Sequence, residues 1–190
     1  MKDLNLNDLL RYGFAGAVFF LVAALAFEQP GALLLDKEIS GALAAASTAA
    51  ALTVGCVIYA LHRAVPYPIL YALCRVVAGR HESSLELDIR RWKNMALNNP
   101  LQRHLSDWAA QVHFLYCTAW ASIAALLLGN AAGWAPTSMH SVGWYAFAAL
   151  LASAAWHHTR YQRWERRVFA EDAAQAVSTN ATPAPASGDG

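Results

Sequence analysis

RAVPYPILYALCRVVAGRHESSLELDIRRWKNMALNNPLQRHLSD, residues 63–107, is a polar, basic stretch set between two long uncharged runs. Gly41 to Leu61 precedes it and Trp108 to Trp134 follows it, and neither contains Asp, Glu, Lys or Arg. As a helix, the 21 residues from Gly41 to Leu61 span about 31 Å, enough to cross a hydrocarbon core of about 30 Å. Two shorter apolar runs, Gly13 to Phe27 and Val142 to Trp156, lie outside these. The pattern predicts an all-α integral membrane protein with four transmembrane helices. An amphipathic cytoplasmic helix joins spans two and three. The spans fall at about residues 9–27, 41–62, 108–130 and 139–158, with the cytoplasmic loop at 63–107. Residues 1–172 make one membrane domain, and 173–190 make a polar tail.

Composition agrees with that class. Hydrophobic residues make up 57% of the chain and charged residues 14%, well under the quarter usual in soluble proteins. The net charge of +1 conceals a segregation. Of the 14 lysines and arginines, all but Lys37 fall on one side of a four-span arrangement. Lys2 and Arg11 precede span one, seven basic residues lie in the 63–107 loop, and Arg160, Arg163, Arg166 and Arg167 follow span four. The positive-inside rule then puts both termini and the loop in the cytoplasm, for a multi-pass protein of the cell inner membrane. Cys56, Cys74 and Cys117 have no paired spacing, so neither a disulfide framework nor a zinc knuckle is expected.

Span one needs Leu9, Leu10 and Tyr12 to reach length, with Arg11 snorkelling to the headgroups. A secretory signal ending at Ala24-Leu25-Ala26 is the rival, and Asp3 and Asp8 argue against it. Gln29-Pro30-Gly31 has turn chemistry within a net acidic connection, 28–40. Pro66 and Pro68 should break the helix of span two, leaving Ile69 to Val77 at the cytoplasmic headgroups or as a re-entrant segment, closed by Gly79. Ser83 and Glu86 form a capping box for the loop helix, whose apolar face carries Leu85, Ile89 and Trp92. That face is expected to meet the membrane surface or a cytoplasmic protein partner. Asn98-Asn99-Pro100 stops this helix and starts another that runs unbroken into span three. From Ala173 on, the composition predicts disorder.

Two features point to self-association. Ser47, Ala51 and Gly55 recur every four residues, the spacing of closely packed membrane helices, although alanine-rich spans show it by chance too. In span three Gln111, Thr118 and Ser122 share one face, and His113, Tyr116, Cys117 and Trp120 lie nearly opposite. Two polar faces invite a second neighbour, so a homo-oligomer packed through spans two and three is expected.

No phosphate loop, zinc-protease motif, nucleophile elbow or intramembrane acidic pair occurs. The chain is therefore read as non-enzymatic, with no catalytic residue, no metal and no cofactor. No direct nucleic-acid partner is expected. The one constellation is histidine. His62, His113, His157 and His158 fall near the cytoplasmic ends of spans two, three and four. Imidazoles at one depth could hold haem in a bundle, or serve a quinone-linked redox protein. No orienting carboxylate is apparent beside them, and packing at the interface is the plainer role. Arg160, Arg163, Arg166 and Arg167 form a basic juxtamembrane cluster suited to anionic lipid or simple anchoring.

DLLRYGFAGAVFFL, from Asp8, and HRAVPYPILY, from His62, resemble stretches of small multi-pass proteins of prokaryotic antiphage defence systems. The resemblance implies an oligomeric membrane effector, pore-type or sensor subunit working beside a soluble partner, in antiviral defence. It carries no catalytic residue across. A passive membrane scaffold is the remaining alternative.

Overall fold

The computed structural model describes residues 6–35, 41–79, 86, 89, 91–93 and 100–180. The fold is all-helical: α1 Leu6–Ala26, α2 Glu28–Leu35, α3 Gly41–Ala64, α4 Pro66–Val77, α5 Pro100–Ala131 and α6 His140–Asn180. Among the described residues the sole strand-like pairing is a bridge between Phe27 and Pro136.

α1, α3, α5 and α6 pack as an alternating up-down bundle. Tyr12 and Gly16 of α1 meet Gly55 and Ala51 of α3, so the two run antiparallel. His62 of α3 meets His113 of α5, and Ile58 packs with Cys117 and Ala121, again antiparallel. Leu105 with Val168, and Leu126 against Gly143, give the same sense to α5 and α6. The linkers after α1 and α5 meet at one end of the bundle. Glu28 N–H donates to Ala135 O at 3.0 Å, Thr137 N–H to Ala26 O at 2.9 Å, and Phe27 is fully buried against Gly129. The expected turn after Phe27 is instead the first turn of α2. Pro30 fits there because the N–H it lacks would have had no helical partner.

The prolines act as expected. Val65 leaves helical geometry (φ −124°, ψ −66°), and α4 restarts with Pro66 in its first turn. Gly79, at φ +69°, closes it in the left-handed region. α5 begins at Pro100 and continues unbroken to Ala131. α6 extends to Asn180, past the Ala173 where the polar tail was expected to begin; residues 181–190 lie outside the described residues. So do Leu85 and Ser83 of the loop helix.

Two segments, Ala44–Ala64 and His104–Ala131, are long and apolar enough to cross a membrane, and Tyr12–Ala26 is a shorter apolar helix. Large apolar side chains stand outward on several helices, among them Leu21, Val57, Leu61, Ile69, Leu73 and Leu128. A surface so apolar is uncommon on a soluble monomer.

Candidate functional site

The break at Val65 decides the site. It turns α4 back over the end of the bundle where α3 stops, with Tyr67, Tyr71 and Cys74, spaced i, i+4, i+7, over the histidines. α5 supplies His113, Tyr116 and Trp120. α6 supplies His158, Tyr161, Gln162 and Glu165 along one stripe. The loop residue Arg91 closes the group.

Three of the four candidate histidines meet here. Trp120 Nε1–H donates to His62 Nδ1 at 3.0 Å, which leaves the proton of a neutral His62 on Nε2, 3.2 Å from His113 Nδ1. An Arg63 nitrogen lies 3.2 Å from His113 Nε2. Both ends of that line are donors, so two neutral imidazoles cannot satisfy every contact at once. Arg63 is the exposed member, stacked 5.1 Å over Tyr67, and is the one able to turn away. A second line is fully satisfied. Gln162 donates to His158 Nε2 at 3.4 Å, and His158 Nδ1–H to Tyr116 Oη at 3.3 Å. Tyr116 O–H then donates to Cys74 Sγ and Cys74 S–H to Ala155 O, both at 3.9 Å. Rings fill the space between: Tyr67 lies 4.4 Å from His113 and parallel to His158, and His62 stacks on Tyr116. His157 is half-buried and stands apart, about 100° round the helix from its neighbour.

The third line is ionic. Arg91 Nε and a terminal nitrogen donate to Glu165 at 2.6 and 2.9 Å, a bidentate pair, and Tyr161 O–H donates to the same carboxylate at 2.8 Å. Glu165 is fully buried. Burial works against the Arg91 charge, but the Glu165 hydrogen bonds outweigh it and hold the guanidinium protonated. Arg91 also donates to Tyr71 Oη at 3.3 Å. The histidines have orienting partners that spacing did not show, and these are not carboxylates: Trp120 orients His62, and Tyr116 and Gln162 orient His158, while Glu165, two turns past His158, is engaged by Arg91 and Tyr161. Glu165 was visible as the i+7 residue in HHTRYQRWE, but its partner Arg91 lies in a loop whose fold spacing does not give.

Burial raises the Tyr67 hydroxyl from 10.0 to about 12, against the pull of Arg91. Burial, and then Glu165, raise Tyr161 as well. An unfolded tyrosine ionises first as pH rises. The stability from Tyr67 is therefore complete below pH 10 and lost between pH 10 and about 12. Thermal melts should fall across that window, less steeply in Tyr67→Phe; an unchanged slope would put this hydroxyl in water.

The other candidates divide. Gly55 and Ala51 are taken up inside the chain by α1. Thr118 and Ser122 are buried and donate to carbonyls of their own helix, Phe114 O and Thr118 O. Gln111 and Ser47 are exposed. Apart from Gln111, both polar faces of α5 are largely buried within one chain; the spacing shows faces, not how many helices surround them. Ile89 and Trp92 are exposed, Trp92 at 71%. Arg166 donates to Gly79 O at 3.0 Å, tying the end of α4 to α6. Among the described residues, no three His, Cys, Asp or Glu side chains are grouped to hold a metal ion. The chain matches no protein-family model, no curated protein and no solved structure.

Proposed function

We propose that this chain is a non-enzymatic, four-span subunit of the cell inner membrane, with both termini cytoplasmic, acting as an effector or sensor beside a cytoplasmic protein partner. The observation that carries the proposal is the buried Arg91–Glu165 pair. Arg91 is next to the exposed Trp92, and Glu165 is on the same α6 stripe as His158. A partner that grips Ile89 and Trp92 pulls directly on a pair seated against the polar cluster. Charge segregation and the alternating bundle support the four crossings. A homo-oligomer remains part of the proposal, moved to a groove of about 540 Å³ lined by Ala17, Phe20, Ala46, Ser47 and Ala50.

Reporter fusions after Asp36 and Met139 should read as external, and those after Ser84 and Ala173 as cytosolic. An external Ser84 reporter would overturn the topology. Overexpression with the genomic neighbour should depolarise cells and arrest growth, and Trp92→Glu should remove the effect while leaving insertion intact. A wild type that never depolarises, with or without that neighbour, leaves a passive scaffold. The gathering of His62, His113 and His158 favours one second proposal, a haem- or quinone-linked redox protein. Protein purified from haem-supplied cells is expected to lack a Soret band; a strong band lost in His113→Ala would establish that role instead.

A further inference from the structure

α4 and α6 leave a groove between two matching stripes. Leu70, Leu73, Cys74 and Val77 line one wall at i, i+3, i+4, i+7. Along α6 the other wall runs from Ala152 through Ala155, Trp156 and Thr159 to Arg160 and Arg163. It encloses about 410 Å³ and spans about 17 Å at helical rise. One end is apolar, and the other carries two arginines. Among the described residues neither arginine is ion-paired; Arg160 stacks 5.9 Å over the Trp108 ring. Trp156, 63% exposed, stands at the junction of the apolar and basic parts, where interfacial tryptophans sit. The four juxtamembrane arginines are therefore not equivalent. Arg166 holds the end of α4, Arg167 stands outside the groove, and Arg160 and Arg163 line it, Arg160 at the edge shared with a second pocket beside Trp108 and Trp164.

We propose that this groove binds a single anionic phospholipid of the cytoplasmic leaflet. Its acyl chain lies against Leu73, Val77 and Ala152, and its phosphate sits on Arg160 and Arg163. The charge complementarity is specific: an apolar slot with a dicationic mouth fits an amphiphile with one negative head. The bound lipid would hold α4 against α6, and with it the lid over the polar cluster.

The inference rests on the membrane crossing proposed above, and carbonate extraction of the same membranes separates the two failures. Purified full-length protein is given equal phosphatidylglycerol and phosphatidylcholine, and retained lipid is read by native mass spectrometry. Phosphatidylglycerol should be retained on the order of tenfold over phosphatidylcholine, from two arginine contacts. Arg163→Gln and, independently, Ala152→Trp, which fills the slot and keeps both arginines, should each abolish the preference; Arg167→Gln should keep it. Equal retention of the two lipids overturns the proposal. So does a preference that survives Ala152→Trp, or that Arg167→Gln removes as fully as Arg163→Gln. Thermal stabilisation by glycerol phosphate equal to that by the lipid would reassign the mouth to a free phosphate and also defeat it.

Discussion

Gly55→Leu should leave almost no folded protein. A side chain at Gly55 meets the Tyr12 carbonyl of α1, and one at Gly16 meets the Ala51 carbonyl of α3. In both cases the obstacle is backbone, which cannot rotate away as a flexible side chain does. The helices must separate along their length, and neighbours such as Ala15 and Ile58 lose contact together. Overpacking by one or two methylenes costs about 1–3 kcal/mol, and leucine against a carbonyl lies at or above the top of that range. Under the membrane crossing proposed above, close backbone approach is itself a main source of attraction, so little compensates its loss. The same outcome is expected of Gly16→Leu. Protein level and circular dichroism in detergent check both. If Gly55 instead served contact between copies, Gly55→Leu would give a well-folded monomer, and that result would refute the intramolecular crossing.

Arg91→Met should cost about 3–5 kcal/mol. The pair is not a surface ion pair: Glu165 is fully buried and the Arg91 side chain is 23% exposed. Removing the guanidinium leaves a fully buried carboxylate without its charged partner, although the Tyr161 hydroxyl still donates to it. Glu165→Met should cost less, because Arg91 is at the rim and can turn outward. The double variant Arg91→Met, Glu165→Met should recover most of the stability, since apolar residues of similar volume replace a buried pair at little cost. Denaturant unfolding of the four proteins makes the cycle. Strictly additive losses would mean that the two groups do not act on each other. The single variants should also free the loop helix from α6, so protease cleavage near Trp92 should rise while the bundle helices stay intact.

Much of the helical framework was legible in the sequence. The break at Pro66, the restart at Pro100 and the stop at Gly79 follow from local backbone chemistry, which a neighbour far along the chain does not change. Two long apolar helices follow from hydropathy alone. Legibility ended where a side chain's partner came from another helix. His113 and His157 looked alike as candidates, and one is buried among aromatic rings while the other is not. Ser47, Ala51 and Gly55 read as a surface for a second copy, yet α1 takes two of the three. Glu165 read as one charge among the arginines of HHTRYQRWERR.

The sequence by itself determined the class: helices with long uncharged stretches, breaks where proline and glycine require them, and basic residues kept out of the uncharged stretches. These depend on properties of single residues and of short windows. The tertiary structure alone decided which residues form a site. A helix displays several faces, and its spacing cannot say which neighbour covers each. Only the folding of α4 over the bundle end brings Tyr67 to His113 and His158, and only the docking of the loop brings Arg91 to Glu165. A buried charge requires its partner nearby, but that partner can come from anywhere in the chain. It lies 74 residues away here, beyond the reach of any pattern in the sequence.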